Sequence, residues 1–171
     1  MARSKFNVNT SSKSKEKRTL NGYTFSSDLE YKFYVYLLSK QEKGIVKNIT
    51  IQPRYLLQKK FVKHGKIYQP IYYIPDFEVE YINGDIINFD TKGFSTPDFL
   101  LKAKIWNYVY PDKVLRVINY SKIDGNDENE GWCDVKVIEK GRKERKKAKE
   151  LKNKLKKYKN KTEDWFKHVK K

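Results

Sequence analysis

Two acidic residues and a lysine in this chain could cleave a phosphodiester if the fold brings them together. Asp76 follows Pro75, and Asp90-Thr91-Lys92 comes 14 residues later. Two carboxylates can hold a divalent cation, which polarises a phosphate oxygen and lowers the pKa of a bound water. A lysine that faces the same point can orient the attacking water or stabilise charge on the phosphorus. These residue types at this spacing form a candidate phosphodiester-cleaving site.

The residues between the two acids predict a β-hairpin. Asn83-Gly84 is a strong signal for a tight turn between two strands. A two-residue loop would pair Asp76 with Thr91 and turn Asp76 and Asp90 to opposite faces of the sheet. A three-residue loop, with Gly84 left-handed at a bulge position, would pair Asp76 with Asp90. Both loops are chemically allowed, so the sequence leaves the choice open.

The periodicity around this hairpin predicts a mixed α/β (α+β) fold. Ser27 and Glu30 have the spacing of a capping box, which opens a helix over 27–42. Thr96-Pro97-Asp98 begins a second helix, which Pro111 ends. The element order is α-β-β-β-α-β, which indicates a central mixed sheet flanked by helices on both faces. The remaining predicted strands are 49–61, 67–82, 85–92 and 114–120.

Composition restricts the choice of cofactor and compartment. One cysteine and two histidines cannot build a cysteine and histidine zinc site, so a bound metal would take oxygen ligands, as Mg²⁺ or Mn²⁺ do. No apolar run approaches the roughly 18 to 20 residues of a membrane span, and the N-terminus has no apolar signal core. We therefore expect a cytoplasmic protein without a membrane partner.

The basic residues are concentrated at the two ends of the chain. The formal net charge is +17, yet residues 19–139 carry 16 basic and 16 acidic side chains. We expect a flexible basic arm over 1–20, a folded domain over 21–139 that ends with a short strand at 133–138, and a basic helical tail over 140–171. Such tails favour a polyanion, because lysine and arginine release the counterions of phosphates. The candidate DNA contacts are Lys102, Lys104, Lys143, Arg145 and Lys146.

The motifs together resemble a known family of nucleases. Asp76 after proline, followed by Asp90-Thr91-Lys92, matches the signature of the restriction-endonuclease-like PD-(D/E)XK superfamily. Further matching segments are 25–30, 51–55, 73–77, 90–93 and 96–104. Over about residues 20–120 the chain is similar to a phage-encoded family of Holliday-junction-resolvase-like nucleases.

The resemblance implies a restriction-endonuclease-like core, dependence on Mg²⁺ or Mn²⁺, and a homodimer that cleaves branched DNA in the host cytoplasm during phage recombination or replication. By position, Asp76 and Asp90 would be metal ligands, and Thr91 would add its backbone carbonyl. Lys92 would be the catalytic lysine, and Glu30 would ligate directly or through water. Thr91 stands where an apolar residue is usual, but only its carbonyl is required.

Several of these residues have plainer interpretations. Glu30 also occupies the capping-box position, where it would serve the helix and not a metal. Gln52 could orient a water or satisfy the backbone, and Glu78 could be a ligand or an exposed charge. Lys102 and Lys104 could form a solvated helix face. Two other functions stay open as well: a nuclease of the same fold acting on linear duplex or single-stranded ends, and a basic DNA-binding protein without catalysis.

Overall fold

A computed structural model describes residues 11–93 and 96–169, with side chains described through residue 159. The chain divides into two compact units, Met1–Tyr120 and Ser121–Lys171. This boundary falls earlier than the sequence predicts, because the predicted domain runs to 139. Within the described residues, no helix is both long and apolar enough to span a membrane.

The first unit begins with short elements where a flexible arm was expected. Helix α1 covers Ser12–Glu16, and strands β1 (Thr19–Leu20) and β2 (Tyr23–Thr24) pair with each other. Arg18 is buried, and its guanidinium donates to the carbonyl of Phe25 at 3.2 Å. Residues 11–20 of the predicted arm therefore contain a short helix, a short strand and a buried arginine, and residues 1–10 lie outside the described part of the chain.

Helix α2 covers Asp28–Glu42, as the capping box predicts. The Ser27 hydroxyl accepts a hydrogen bond from the Glu30 amide at 3.1 Å, which satisfies one of the free N–H groups at the helix start. The buried face of the helix includes Phe33, whose ring lies 5.6 Å from that of Phe77 and 5.1 Å from that of Phe89. These aromatic contacts fix the helix on one face of the central sheet.

The two long β-rich runs of the sequence are broken into shorter strands. Gln52 has a φ of 50°, which is left-handed backbone, and Pro53, Pro70 and Pro75 cannot donate to a ladder. The predictions of continuous strands over 49–61 and 67–82 are therefore wrong. The strands are β3 (Val46–Ile51), β4 (Tyr55–Gln58), β5 (Phe61–Lys63), β6 (Lys66–Tyr68), β7 (Ile71–Tyr73), β8 (Phe77–Tyr81) and β9 (Ile86–Thr91).

Helix α3 (Pro97–Val109) and strand β10 (Val114–Tyr120) complete the first unit at the predicted places. In this unit the sheet has the strand order β10-β9-β8-β3. Strands β9 and β10 are parallel, whereas β8 is antiparallel to both β9 and β3. The prediction of a mixed central sheet is confirmed. Two further antiparallel pairs, β4 with β7 and β5 with β6, lie outside this sheet.

The second face of the sheet is covered by α3 and the β4–β7 pair. Trp106 of α3 is fully buried, and its ring lies 4.3 Å from Tyr55 and 5.4 Å from Tyr73. Leu115 and Val117 of β10 pack against the same cluster. Helices therefore lie on both faces, and the second face also carries the polar side chains of β8 and β9.

The second unit holds strand β11 (Trp132–Asp134) and the long helix α4 (Val135–Val169). The predicted strand over 133–138 is wrong beyond Asp134, because the helix begins at Val135 and not near Gly141. Arg145 of α4 donates to both carboxylate oxygens of Asp124, at 2.6 and 2.9 Å. A Cβ at Gly141 would overlap the Asp124 carboxylate, so a larger residue at this helix position would have to displace that side chain.

Candidate active site

The hairpin between β8 and β9 has the register of the three-residue loop. Phe77 pairs with Phe89 and Glu78 with Asn88, and the Tyr81 amide donates to the carbonyl of Asp85 at 2.8 Å. Gly84 has a φ of 92°, which a side chain would make unfavourable. Asp76 immediately precedes the paired residues, so this register places it next to Asp90 and Thr91 at the end of the hairpin.

Asp76 is held by the residue that follows Asp90. Its Oδ2 accepts hydrogen bonds from the backbone amide of Thr91 at 2.7 Å and from the Thr91 hydroxyl at 2.8 Å. The backbone carbonyl of Asp76 accepts from the amide of Gln52 at 2.9 Å. Both side-chain bonds go to Oδ2, so the orientation of this carboxylate is fixed through one oxygen.

Asp90 lies deeper, with only 2% of its surface exposed. Its Oδ2 accepts a hydrogen bond from the Tyr73 hydroxyl at 2.6 Å, and its Oδ1 forms an ion pair with the Lys92 ammonium at 2.7 Å. Among the described residues, the Lys92 ammonium is the partner that the structure gives this oxygen. A buried carboxylate is unfavourable unless positive charge and hydrogen bonds balance it.

The charges of this cluster are unevenly balanced. Burial, together with the negative charges of Asp90 and Glu30, raises the pKa of Asp76 to about 7, despite the two bonds from Thr91. Burial alone would lower the pKa of Lys92, but attraction to the neighbouring carboxylates outweighs it and raises that pKa. One ammonium group therefore serves a cluster of several carboxylates, and the cluster favours an additional positive charge.

Glu30 lies near this cluster but is engaged by its own helix cap. Its Oε1 accepts from the Ser27 hydroxyl at 3.0 Å and its Oε2 from the Ser26 amide at 3.1 Å. The pKa of Glu30 is raised above its ordinary value. Burial is the main cause and the charge of Asp90 adds to it, whereas the hydrogen bonds from the two serines and the charge of Lys92 offset part of the rise. The capping role is confirmed, and a role toward a metal stays a prediction.

The donor set at the end of β8 and β9 suits a hard divalent cation. The residues offer carboxylate oxygens from Asp76 and Asp90, and Thr91 can add a carbonyl. In the described ranges there is no group of three or more histidine, cysteine, aspartate or glutamate side chains placed to hold a metal. A cation here would therefore rely on two aspartates, a backbone carbonyl and water, as Mg²⁺ often does.

Two residues with alternative interpretations lie beside the cluster. Gln52 contributes its backbone amide to Asp76, as described, and its side chain is exposed. Glu78 lies on the same strand face as Asp76 and accepts a hydrogen bond from the Tyr55 hydroxyl. Gln52 thus pairs with the backbone carbonyl of Asp76, and Glu78 pairs with the hydroxyl of Tyr55. A role of either side chain as a metal ligand stays a prediction.

The predicted DNA-binding residues are spread over two helices. Lys102 forms an ion pair with Asp98 one turn earlier on α3, at 3.1 Å, whereas Lys104 is exposed two positions further and so on another side of the helix. In α4, Lys143 and Lys146 are exposed. Arg145 is engaged by Asp124, so a phosphate would have to compete with that carboxylate.

Sequence reasoning missed Tyr73 and Asn88. Tyr73 donates to Asp90 from a separate strand pair, and no local pattern signals this contact. Asn88 is completely buried on the Asp90 face of β9, within reach of the Tyr55 hydroxyl. Because side chains alternate along a strand, its position two residues before Asp90 predicts that it shares the Asp90 face. The indole nitrogen of Trp106 is also buried and unpaired in the described structure.

The chain belongs to the family DUF1064, which is described as a protein of unknown function and whose model matches residues 10–125. This range covers the central sheet, the acidic cluster and both flanking helices of the first unit. No curated protein and no solved structure matches the chain.

Proposed function

We propose that this chain is a metal-dependent endonuclease that hydrolyses a DNA phosphodiester at the Asp76, Asp90 and Lys92 cluster. One observation carries the proposal: the β8–β9 hairpin brings Asp76 and Asp90 into one buried cluster, and a single ammonium, that of Lys92, balances its negative charge only in part. An acidic cluster that is short of positive charge fits a divalent cation, with Mg²⁺ as the first choice and Mn²⁺ as the second.

Each residue of the cluster has a distinct task in this proposal. Asp76, Asp90 and the carbonyl of Thr91 hold the cation, which when bound polarises the phosphate and lowers the pKa of water. The amide and hydroxyl of Thr91 fix the Asp76 carboxylate. Lys92 remains protonated because its pKa is raised, and it supplies positive charge to a phosphate oxygen as charge develops there. Glu30 adds negative charge nearby and would act on the cation through water.

The finer description of the fold and substrate is also a proposal. An acidic antiparallel hairpin, followed by a crossover helix and a parallel strand, supports a restriction-endonuclease-like core. Branched DNA as the substrate, a homodimer, and a phage setting in the host cytoplasm depend on the resemblance of residues 20–120 to Holliday-junction-resolvase-like nucleases. The long basic helix α4 supports a polyanionic partner.

The test compares DNA substrates with and without metal. The purified chain is incubated with a four-way junction, a linear duplex and a single strand, in Mg²⁺, Mn²⁺ or chelator, beside Asp90→Ala. We expect cleavage of the junction that needs metal and is lost in Asp90→Ala. Cleavage of linear duplex alone would retain the nuclease and reject the branched substrate. If the parent leaves every DNA intact over the range of metals, the proposal of an endonuclease is wrong, and DNA binding without catalysis becomes the alternative to test.

A further inference from the structure

The hairpin of β5 and β6 is unusually exposed. All six of its strand residues are exposed, and within the described residues the two strands pair only with each other. A two-stranded hairpin is marginally stable by itself in water. Because its side chains contribute little to the core, a role outside the folding of the domain is a reasonable expectation.

This hairpin lies in a strongly basic stretch of the chain. Residues 54–75 contain five basic side chains and no acidic one. The equal numbers of acids and bases over 19–139 conceal this local excess, because the acids lie elsewhere in the domain. The five residues are Arg54, Lys59, Lys60, Lys63 and Lys66.

The tip of the hairpin places two like charges directly opposite each other. Lys63 pairs with Lys66 across a turn formed by His64 and Gly65, both of which have positive φ. Like charges at facing positions destabilise a strand pair. Neither lysine forms an ion pair with an acidic residue in the described parts of the chain. An external anion would remove this repulsion.

The same face of the hairpin is stiffened by a pair of aromatic rings. Phe61 and Tyr68 are cross-strand partners, with ring centroids 4.6 Å apart and an interplanar angle of 2°. Alternation puts Lys63 and Lys66 on the face of these rings, and the Lys66 ammonium lies 5.4 Å from the Tyr68 centroid. The stacked rings therefore support two adjacent ammonium groups at the exposed tip.

The hairpin extends from the strands that lead into the acidic cluster. Strand β7 follows β6 and contains Tyr73, which donates to Asp90. Seven residues separate Lys66 from Tyr73, which sets an upper limit of about 25 Å between them at roughly 3.5 Å per residue. At about 3.4 Å per base pair, roughly seven base pairs of a duplex span the same distance.

We propose that the hairpin Phe61–Tyr68 is a DNA-binding arm whose Lys63 and Lys66 contact backbone phosphates of the substrate away from the cleaved bond. The polyanion is nucleic acid in this proposal, and that choice rests on the proposed function. Phosphate contacts of this kind position a duplex without reading its sequence. The arm therefore supplies affinity and orientation, whereas the acidic cluster supplies the chemistry.

The first experiment measures DNA binding without cleavage. Binding of a labelled duplex is titrated by fluorescence anisotropy in chelator over a series of salt concentrations, for the parent, for Lys63→Ala/Lys66→Ala, and for the matched control Lys32→Ala/Lys43→Ala on and beside α2. Each lost phosphate contact lowers the slope of log affinity against log salt by about 0.9. We expect the hairpin variant to lose about 1.8 of slope and to bind roughly tenfold more weakly at low salt. A hairpin variant that coincides with the control in affinity and slope would overturn the proposal.

A second variant separates binding from hairpin stability. Lys63→Glu places opposite charges at facing positions, so it should stabilise the hairpin while repelling DNA. We expect weaker binding than in the double alanine variant, together with unchanged or higher thermal stability. Binding at the parent level would instead show that Lys63 does not meet a phosphate, and an acidic protein would become the better candidate partner.

The outcome is independent of the test of catalysis. Asp90→Ala should bind DNA at least as tightly as the parent in chelator, because it removes a negative charge outside the arm. If the hairpin variants lose binding and no DNA is cleaved by the parent, the arm stands and the nuclease is rejected. If the parent cleaves and the hairpin variants bind normally, the nuclease stands and the arm is rejected.

Discussion

Two acidic sites in the described residues are neutralised in different ways. In the second unit, the Asp124 carboxylate accepts hydrogen bonds from both terminal nitrogens of the Arg145 guanidinium. It also accepts one from the Ser121 hydroxyl at 2.9 Å. The bond from Arg145 lowers the pKa of Asp124. Asp76 in the first unit has a raised pKa, because it is buried beside another aspartate and has no guanidinium of its own.

This difference separates a structural acid from one available for a ligand. A bidentate arginine satisfies a carboxylate geometrically and electrically, so the Asp124 site has no need of an external cation. The Asp76 and Asp90 site has one lysine for its two buried carboxylates. Under the proposed function, cation binding at this second site would relieve the repulsion between them.

The largest expected effect is on cleavage. Asp76→Asn and Asp90→Asn should each lower the rate at saturating DNA and Mg²⁺ by on the order of 10³-fold, or about 4 kcal/mol at 1.36 kcal/mol per tenfold, because each removes a ligand charge. Asp124→Asn should leave that rate unchanged. Single-turnover assays of the three variants check this. An equal loss of cleavage rate in Asp124→Asn would show that the two acidic sites do not differ in their role.

The second prediction concerns the pH dependence of stability without metal. The pKa of Asp76 is about 7 in the folded chain and near 3.8 when unfolded, so the folded state binds the proton more tightly. Between these values the free energy of unfolding falls as pH rises, by at most about 4 kcal/mol at 1.36 kcal/mol per unit. Asp124 has the opposite sign: its lowered pKa adds stability above the unfolded value, which is lost as pH falls through the folded one.

Chemical denaturation in chelator from pH 4 to pH 8 measures this dependence. Asp76→Asn should flatten the fall toward neutral pH, and Mg²⁺ should offset it in the parent only. A parent whose stability rises steadily over this interval, with no response to Mg²⁺, would show that the acidic cluster is already balanced.

The third prediction is smaller and acts through Asp90. Tyr73→Phe removes the hydroxyl that donates to Asp90 Oδ2 but keeps the ring in the core. Loss of such a supporting bond weakens metal affinity or activity by about 10 to 100-fold. The Mg²⁺ concentration for half-maximal cleavage should rise, while the rate at saturating Mg²⁺ changes less. The matched control is Tyr72→Phe, whose ring lies under the Arg54 guanidinium at 3.6 Å; an equal effect there would argue against a role through Asp90.

The smallest effect is expected in the second unit. Gly141→Ala forces the Asp124 carboxylate to move, because the added Cβ would overlap it. The gain in helix propensity should not compensate, so the melting temperature should drop by a few degrees while cleavage by the first unit is unchanged. Calorimetry checks the first expectation. A rise in melting temperature would mean that the Asp124–Arg145 pair moves aside without a loss of stability.

Local sequence signals predicted the elements that are bounded by distinct caps and turns. The α2 cap, the proline start of α3 and strand β10 all follow from short-range chemistry, and the structure confirms them. The direction of Asp76 and Asp90 was left open, because loop length alone allowed both registers. Burial of Phe89 together with its partner Phe77, on the face opposite to Asp90, accounts for the observed register.

Contacts between distant segments could not be predicted in this way. The bond from Tyr73 to Asp90 and the isolation of the β5–β6 hairpin both depend on how prolines break the β-rich runs, and propensity does not distinguish a broken run from a long strand. The start of α4 at Val135 shows the same weakness, since β-branched residues there favoured a strand.

The left-handed turn at Gln52 provides a natural monitor of the candidate site. Its amide proton is bonded to the main-chain oxygen of Asp76, so its exchange with deuterated solvent requires that this contact open. Any event that steadies Asp76, whether ion uptake or substrate docking, should slow that exchange. A single resonance outside the acidic cluster can therefore report on its rigidity without altering any of its members.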